Sequence, residues 1–286
     1  MGVGLPSGAE IAGHWLIRPL GHGTQSRVFL AKHQRSGQLV ALKVANLEST
    51  QAGEDSARDF LHSAQLARSL VHPNIVAILD AGREGSLVWL SMEAVAGTDL
   101  GRYTHAPRLL PELLTLKVVE QVSVALDCAH RSGIVHRDVK PANVLLDWTH
   151  QTVKLTDFGL AGLSGVRNTG TGIVLGTPAY MAPEQLAGGL PSASTDLYAV
   201  GVLLFELLVG QLPYTGSNMG ELLKQVALLP APDLRTLRPD LPPALADLIA
   251  RLLAKTPLSR PKDGAALALA LHQIGLDMTV AGAKSR

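Results

Sequence analysis

The pattern of apolar residues changes at Gly97, and that change limits the available folds more than any other feature of the chain. Before it, short apolar runs at 15–18, 27–32 and 38–44 alternate with Gly-rich or polar turns and read as strands. Residues 55–70 break the pattern, with Phe60, Leu61, Ala64, Ala67 and Leu70 on one side of a helix, and 75–81 and 87–92 return to strand character. After Gly97 the chain turns helical. Residues 111–131 carry Leu114, Val118, Val122, Ala125 and Ala129 on one face, with Gly133 as the stop signal. Residues 196–209 are apolar nearly all round, as in a helix enclosed by a core, and 242–254 and 265–274 read as further helices. The expected fold class is α+β: a small β-rich lobe with one main helix, then a larger, mostly helical lobe, leaving a cleft for a ligand.

Composition excludes several partners. The 286 residues carry a net charge of +1 with the basic side chains dispersed, so no stripe exists to follow a nucleic acid. The lone Cys128 permits no internal disulfide, fits a reducing compartment, and lies in an apolar helical pattern that reads as core. The longest apolar run considered, 197–209, is interrupted by Glu206 and falls short of the roughly 20 residues a membrane span requires, so no membrane segment is expected. The first ten residues lack the basic-then-apolar order of a signal peptide, and Pro6 stands where a myristoylation signal at Gly2 would need Ser or Thr. The expected location is cytoplasmic, either as such or as the cytosolic domain of a longer membrane-anchored protein. Residues 1–13 read as an extension and 276–286 as a small, polar tail.

Four segments carry the chemistry. Gly21-His22-Gly23 lies between two strand-like runs; by itself it is either a tight hairpin or a loop whose N–H groups approach phosphates, and no helix follows it as a dinucleotide fold would require. Val40-Ala41-Leu42-Lys43 puts a lysine in an apolar strand, either at a surface or directed into a cleft. The decisive stretch is His136-Arg137-Asp138-Val139-Lys140-Pro141-Ala142-Asn143, followed by Asp157-Phe158-Gly159.

In this order and at these intervals the set resembles the protein kinases, in the pattern H-R-D-x-x-x-x-N and then D-F-G, and its wording is similar to the eukaryotic-like serine/threonine kinases of bacteria. The resemblance implies a two-lobed protein kinase fold over 14–275, divided into lobes of 14–95 and 96–275. It implies transfer of the γ-phosphate of ATP to Ser/Thr hydroxyls of protein substrates, with Mg2+, or Mn2+ in its place, as the ion. Asp138 would accept the hydrogen bond of the attacking hydroxyl, and Lys140 would sit beside the γ-phosphate. Asn143 and Asp157 would hold the metal, and Lys43 would neutralise phosphates. Leu20, Gly21, Gly23, Val28, Ala41, Met92, Glu93, Val95, Asp99 and Leu145 would form the nucleotide site, with Met92 as gatekeeper and Asp99 on the ribose. Gly176-Thr177-Pro178 through Glu184 resembles the end of an activation segment, in which Thr177 would bond Asp138 or Lys140 and Glu184 would pair with Arg260. Asp196 would hold the backbone of the catalytic loop. Thr169 and Thr171 are candidate phosphosites whose phosphate would dock on Arg137. A homodimer through the small lobe is a further implication.

The sequence departs from the family pattern at two places. Ser26 replaces the third glycine of the loop. Ser63 occupies the position of the helix glutamate that pairs with the lysine, and the nearest acidic residue, Asp59, is one turn away. That loss opens an alternative, a pseudokinase-like module that binds nucleotide and signals by conformation. A small-molecule phosphotransferase of the same fold is a third reading, opposed by the protein-substrate segment at 177–184.

Overall fold

The computed structural model describes residues 8–22, 26–47, 51–158 and 178–284. They divide into two compact units, one running to Ala96 and including Asp157 and Phe158, the other formed by Gly97–Thr156 and the residues from 178 onward.

The first unit is an antiparallel sheet of β1 (Glu10–Ile11), β2 (His14–His22), β3 (Ser26–His33), β4 (Leu39–Asn46), β5 (Ile78–Glu84) and β6 (Leu87–Glu93), in the order β1-β2-β3-β4-β6-β5. Register decides which face each side chain takes, because residues opposite each other share a face. Val28 lies opposite Lys43, Lys43 opposite Leu90, and Ala41 opposite Met92, so these five share one face. Phe29, Ala31, Val40, Leu42 and Val44 occupy the other, where they join Ile11 and Leu16 in a core cluster with Trp89 packed against it. The strand β1, within the residues read as an extension, pairs with β2 and buries Ile11 to 3% exposure. Two residues are too few to show a period-two pattern. Helix α1 (Gln51–Arg68) buries Ala57, Phe60, Ala64 and Ala67. Both its ends are tied to β5: Arg83 grips Glu54 through two bonds of 2.5 and 2.6 Å, and Arg68 reaches Asp80 at 3.4 Å.

The second unit opens with a small antiparallel sheet, β7 (Thr98–Asp99), β8 (Val144–Asp147) and β9 (Thr152–Leu155), which the period reading did not identify. The rest is helical: α2 (Glu112–Arg131), α3 (Pro183–Leu186), α4 (Ala193–Val209), α5 (Met219–Leu228), α6 (Leu234–Leu237), α7 (Pro243–Leu252) and α8 (Gly264–Lys284). As its composition required, α4 is buried from Thr195 to Leu208, and it ends at Gly210, whose φ of 81° serves a left-handed cap. Helix α8 packs on α2, and Asp127 of α2 accepts the N–H of Ala265 at 3.2 Å. It runs on through most of the residues read as a tail, since Ala, Leu and Met favour helix and no proline stops it. Its stretch Gly264–Ala283, with mean hydropathy 1.3 and 28% buried, is long and apolar enough by length and composition to cross a membrane, unlike the shorter run at 197–209.

Candidate active site

In the second unit the catalytic candidates sit on a loop fixed at both ends. Upstream, α2 stops where Gly133, with φ 74°, lets its N–H reach the carbonyl of His130 and that of Ile134 reach Ala129. Downstream, Pro141–Asn143 form a 3-10 turn that leads into β8. Between them the main feature is Asp196, 2% exposed in the first turn of α4. Its Oδ1 accepts the N–H of Arg137 at 2.8 Å, and its Oδ2 accepts the N–H of His136 and a bond from Nε2 of His130, both at 2.8 Å. Arg137 has φ 71°, a conformation a residue with a Cβ keeps only where its surroundings hold it, and this bond supplies the hold. His136 is fully buried. Its Nδ1 accepts the N–H of Asp138 at 3.2 Å, so the ring proton is on Nε2, which donates to the carbonyl of Thr156 at 2.8 Å.

The backbone so fixed presents Asp138, Lys140 and Asn143 together. Lys140 Nζ donates to both carboxylate oxygens of Asp138, at 3.0 and 2.7 Å. Asn143 Nδ2 donates to the Asp138 carbonyl at 2.7 Å and to Asp138 Oδ2 at 3.0 Å. Both N–H groups of the amide are therefore used, and its Oδ1 takes no bond from a described residue. Nearby, Asp99 lies directly opposite Leu145 in the β7–β8 pair, and its carboxylate accepts the N–H of Gly101 at 2.9 Å.

One further expected feature belongs to this unit, and a second pair was not foreseen. Arg260, its side chain fully buried, donates to both oxygens of Glu184 at 2.6 and 2.8 Å and to the Ser194 carbonyl at 2.9 Å, the pairing the sequence anticipated. Tyr180 donates to the carboxylate of Glu206, and burial raises the pKa of both groups; for Glu206 the Tyr180 bond opposes that rise. His130 was not foreseen. The only hint in the sequence is a histidine in the last turn of α2, one helix turn before Gly133. Its Nδ1 is buried without a partner while Nε2 bonds Asp196.

In the first unit Lys43 is buried, which removes the surface reading left open by the sequence. Its Nζ lies 2.8 Å from Asp157 Oδ1, with the two side chains 8% and 23% exposed. Asp157 also has positive φ, 67°. Asp59 is exposed and makes no ion pair among the described residues, so none of them shows it replacing the glutamate missing at Ser63. Val28, Ala41 and Met92 share the Lys43 face; Leu20 and Gly21 lie on β2, and Gly21 is opposite Val28. Glu93 is occupied locally: its N–H donates to the Ala77 carbonyl at 3.0 Å, and its Oε1 accepts the Ala77 N–H at 3.0 Å. Val95 is half-buried just beyond β6. Gly23, Thr169, Thr171 and Thr177 lie outside the described residues.

Residues 16–272 match the family model of the protein kinase domain, and the chain belongs to the protein kinase family. Among curated relatives, the serine/threonine-protein kinase PrkC of Bacillus subtilis is 36% identical over 255 residues, covering 88% of this chain and 39% of its own length. The DNA damage-responsive serine/threonine-protein kinase RqkA of Deinococcus radiodurans is 39% identical over 272 residues, covering 92% and 40%. PknF of Mycobacterium tuberculosis is 37% identical over 284 residues, covering 95% and 58%. The chain thus spans between about two fifths and three fifths of these relatives' length. Among solved structures, Rad53 1–466 in complex with AMP-PNP is similar with a TM-score of 0.73 and 26% identity over 90% of this chain and 64% of that one.

Proposed function

We propose that the chain is a serine/threonine protein kinase domain that transfers the γ-phosphate of ATP to Ser or Thr hydroxyls of proteins. The observation that carries the reading is the Asp138–Lys140–Asn143 cluster on a loop held by Asp196. Such transfer needs alignment and charge neutralisation more than covalent help from the protein. Asp138 accepts the hydrogen bond of the incoming hydroxyl, orients it, and takes its proton late. Lys140 Nζ, now on Asp138, is a compact positive charge free to follow the γ-phosphate oxygens. Lys43 neutralises the phosphates, Asp99 bonds the ribose, and the apolar residues of β3, β4 and β8 flank the base. Lysine two positions after Asp138 favours the serine/threonine class.

The donor set fits a hard divalent ion. Asn143 keeps its carbonyl oxygen while both its N–H groups are spent on Asp138, and Asp157 offers a carboxylate. Mg2+ is an ion held by one or two protein oxygens together with substrate phosphates. Bound there with the nucleotide, the ion would neutralise phosphate charge. Arg137 is exposed and pairs with no described residue, which supports its reading as the dock for a phosphate on Thr169 or Thr171. A homodimer through the first unit and a cytosolic location remain part of this proposal.

The retained Asp138, Asn143 and Asp157 favour catalysis over a pseudokinase. The test is incorporation of label from [γ-32P]ATP with Mg2+ into a generic basic protein and into a small amino alcohol, with Asp138→Asn as the blank. Label in the protein alone supports the reading. Label equal to the blank favours the pseudokinase, and label in the amino alcohol alone favours the small-molecule enzyme.

A further inference from the structure

A single 3-10 turn does not hold itself, because closing one turn fixes several backbone dihedrals for few hydrogen bonds. Leu100–Tyr103, directly after β7, is such a turn, and both its ends are fastened from outside. At its start Asp99 is the N-cap. Its Oδ1 accepts the N–H of Gly101 at 2.9 Å, and its other oxygen takes no bond from a described residue. A Cβ on residue 101 would lie 2.7 Å from Asp99 Oδ1, so the carboxylate keeps this position only beside a glycine. At the other end Tyr103 is tied to the turn between β8 and β9. Trp148 Nε1 donates to the Tyr103 hydroxyl at 2.9 Å, and the two rings meet edge to face with centroids 5.9 Å apart. The same hydroxyl stands 3.5 Å from Oγ1 of Thr98, the neighbour of Asp99. Trp148 is placed in its turn by the buried Asp147, whose carboxylate accepts the N–H groups of Thr149 and His150 at 2.8 and 3.2 Å and a bond from His150 Nδ1 at 2.7 Å. An indole left 47% exposed adds little to a core; what Trp148 does supply is the bond to Tyr103.

We propose that Tyr103 and Trp148 are positioning residues for the nucleotide ribose, acting through Asp99. The inference rests on the kinase reading, in which Asp99 bonds the ribose, and adds to it two residues that no motif marks. The Trp148–Tyr103 bond closes the 3-10 turn against the β8–β9 turn. The closed turn holds the Gly101 N–H against Asp99 Oδ1, and that bond fixes the rotation of the carboxylate, so that Oδ2 is presented to the ribose hydroxyls. A carboxylate already held in place loses less side-chain freedom on binding than one that swings, and the difference appears as affinity. The benefit is selective, because only a ligand that carries ribose hydroxyls collects it.

The test is calorimetric binding of ATP and of 2′,3′-dideoxy-ATP, which lacks both ribose hydroxyls, to the full chain in Mg2+. Tyr103→Phe and Trp148→Phe keep a ring and remove the bond; Gly101→Ala pushes on Asp99 Oδ1 directly; Asp99→Ala is the reference. Wild type is expected to bind ATP about 10-fold more tightly than the dideoxy nucleotide, the worth of a hydrogen bond to a charged acceptor, and Asp99→Ala to abolish the preference. Tyr103→Phe and Trp148→Phe are expected to weaken ATP by about 3-fold or more, the cost of ordering one side chain, with the dideoxy nucleotide unaffected. Gly101→Ala is expected to do the same at an unchanged melting temperature, since the atom its methyl meets is the end of a side chain. In the Asp99→Ala background Tyr103→Phe is expected to change neither affinity. Equal weakening of both nucleotides by Tyr103→Phe, as from a residue that only stabilises the fold, overturns the inference, and so does a variant set that keeps the wild-type preference. Should Trp148→Phe fail to fold, Tyr103→Phe and Gly101→Ala decide. Wild type that binds both nucleotides equally overturns the inference and leaves the kinase reading standing; wild type that binds neither refutes that reading and the inference with it.

Discussion

Asp196→Asn is the substitution that separates loop geometry from fold. The carboxylate accepts three bonds at 2.8 Å, from His130 Nε2 and from the N–H groups of His136 and Arg137, at a site 2% exposed. An asparagine keeps the volume but has one acceptor oxygen, and its NH2 must face a donor on the other side. One or two hydrogen bonds to a charged acceptor are lost, each about 1.5–3 kcal/mol, and a buried N–H is left unsatisfied. A destabilisation of about 3–5 kcal/mol follows, measurable as a lower urea midpoint at constant m. The loss of activity should exceed what the unfolded fraction explains. The bond to the Arg137 N–H holds a φ of 71°, and relaxation there displaces Asp138, the next residue. A misplacement of about 1 Å lowers kcat by about 100-fold. The assay is kcat for protein phosphorylation at a temperature where circular dichroism shows the variant folded. A folded Asp196→Asn protein with wild-type kcat would refute the claim that this carboxylate sets the catalytic loop.

Glu184→Gln leaves the fully buried Arg260 guanidinium without its counter-charge and should cost about 3–5 kcal/mol by chemical denaturation, an effect largely absent when Arg260 is already Met. Gly201→Ala places a methyl 2.6 Å from Leu252 Cβ, where α4 meets α7, and should cost about 1–3 kcal/mol by the same measurement. Burial, and then the Arg260 charge, lower the Lys255 pKa from 10.5 to about 8. Between about pH 8 and 10.5 the unfolded chain binds more protons than the folded one, so stability should rise with pH across that window in wild type relative to Lys255→Met. Parallel pH profiles for the two proteins would contradict this.

Much of the fold was legible because its signals are local. Apolar period fixed α2 and α4, and Gly133 marked the stop that turns the chain into the catalytic loop. The strands β1 and β7 are two residues long and gave no period to read, while α8 continued through 275–284 because nothing in that stretch ends a helix. At the candidate site, the resemblance to protein kinases pointed to Asp138, Asn143 and Asp157, but not to what holds them. The support from His130 crosses 66 positions to Asp196, and the orientation of Lys43 depends on strand register; neither leaves a mark in the local sequence. Ser63 was visible as an absence. That Lys43 lies 2.8 Å from Asp157 could be known only from the packed structure.

The most direct measurement is phosphoamino-acid analysis of a basic protein incubated with the wild-type chain and [γ-32P]ATP in Mg2+, beside Asp138→Asn. The account requires label in phosphoserine or phosphothreonine that falls to background in the variant. Label equal in the two proteins would contradict it.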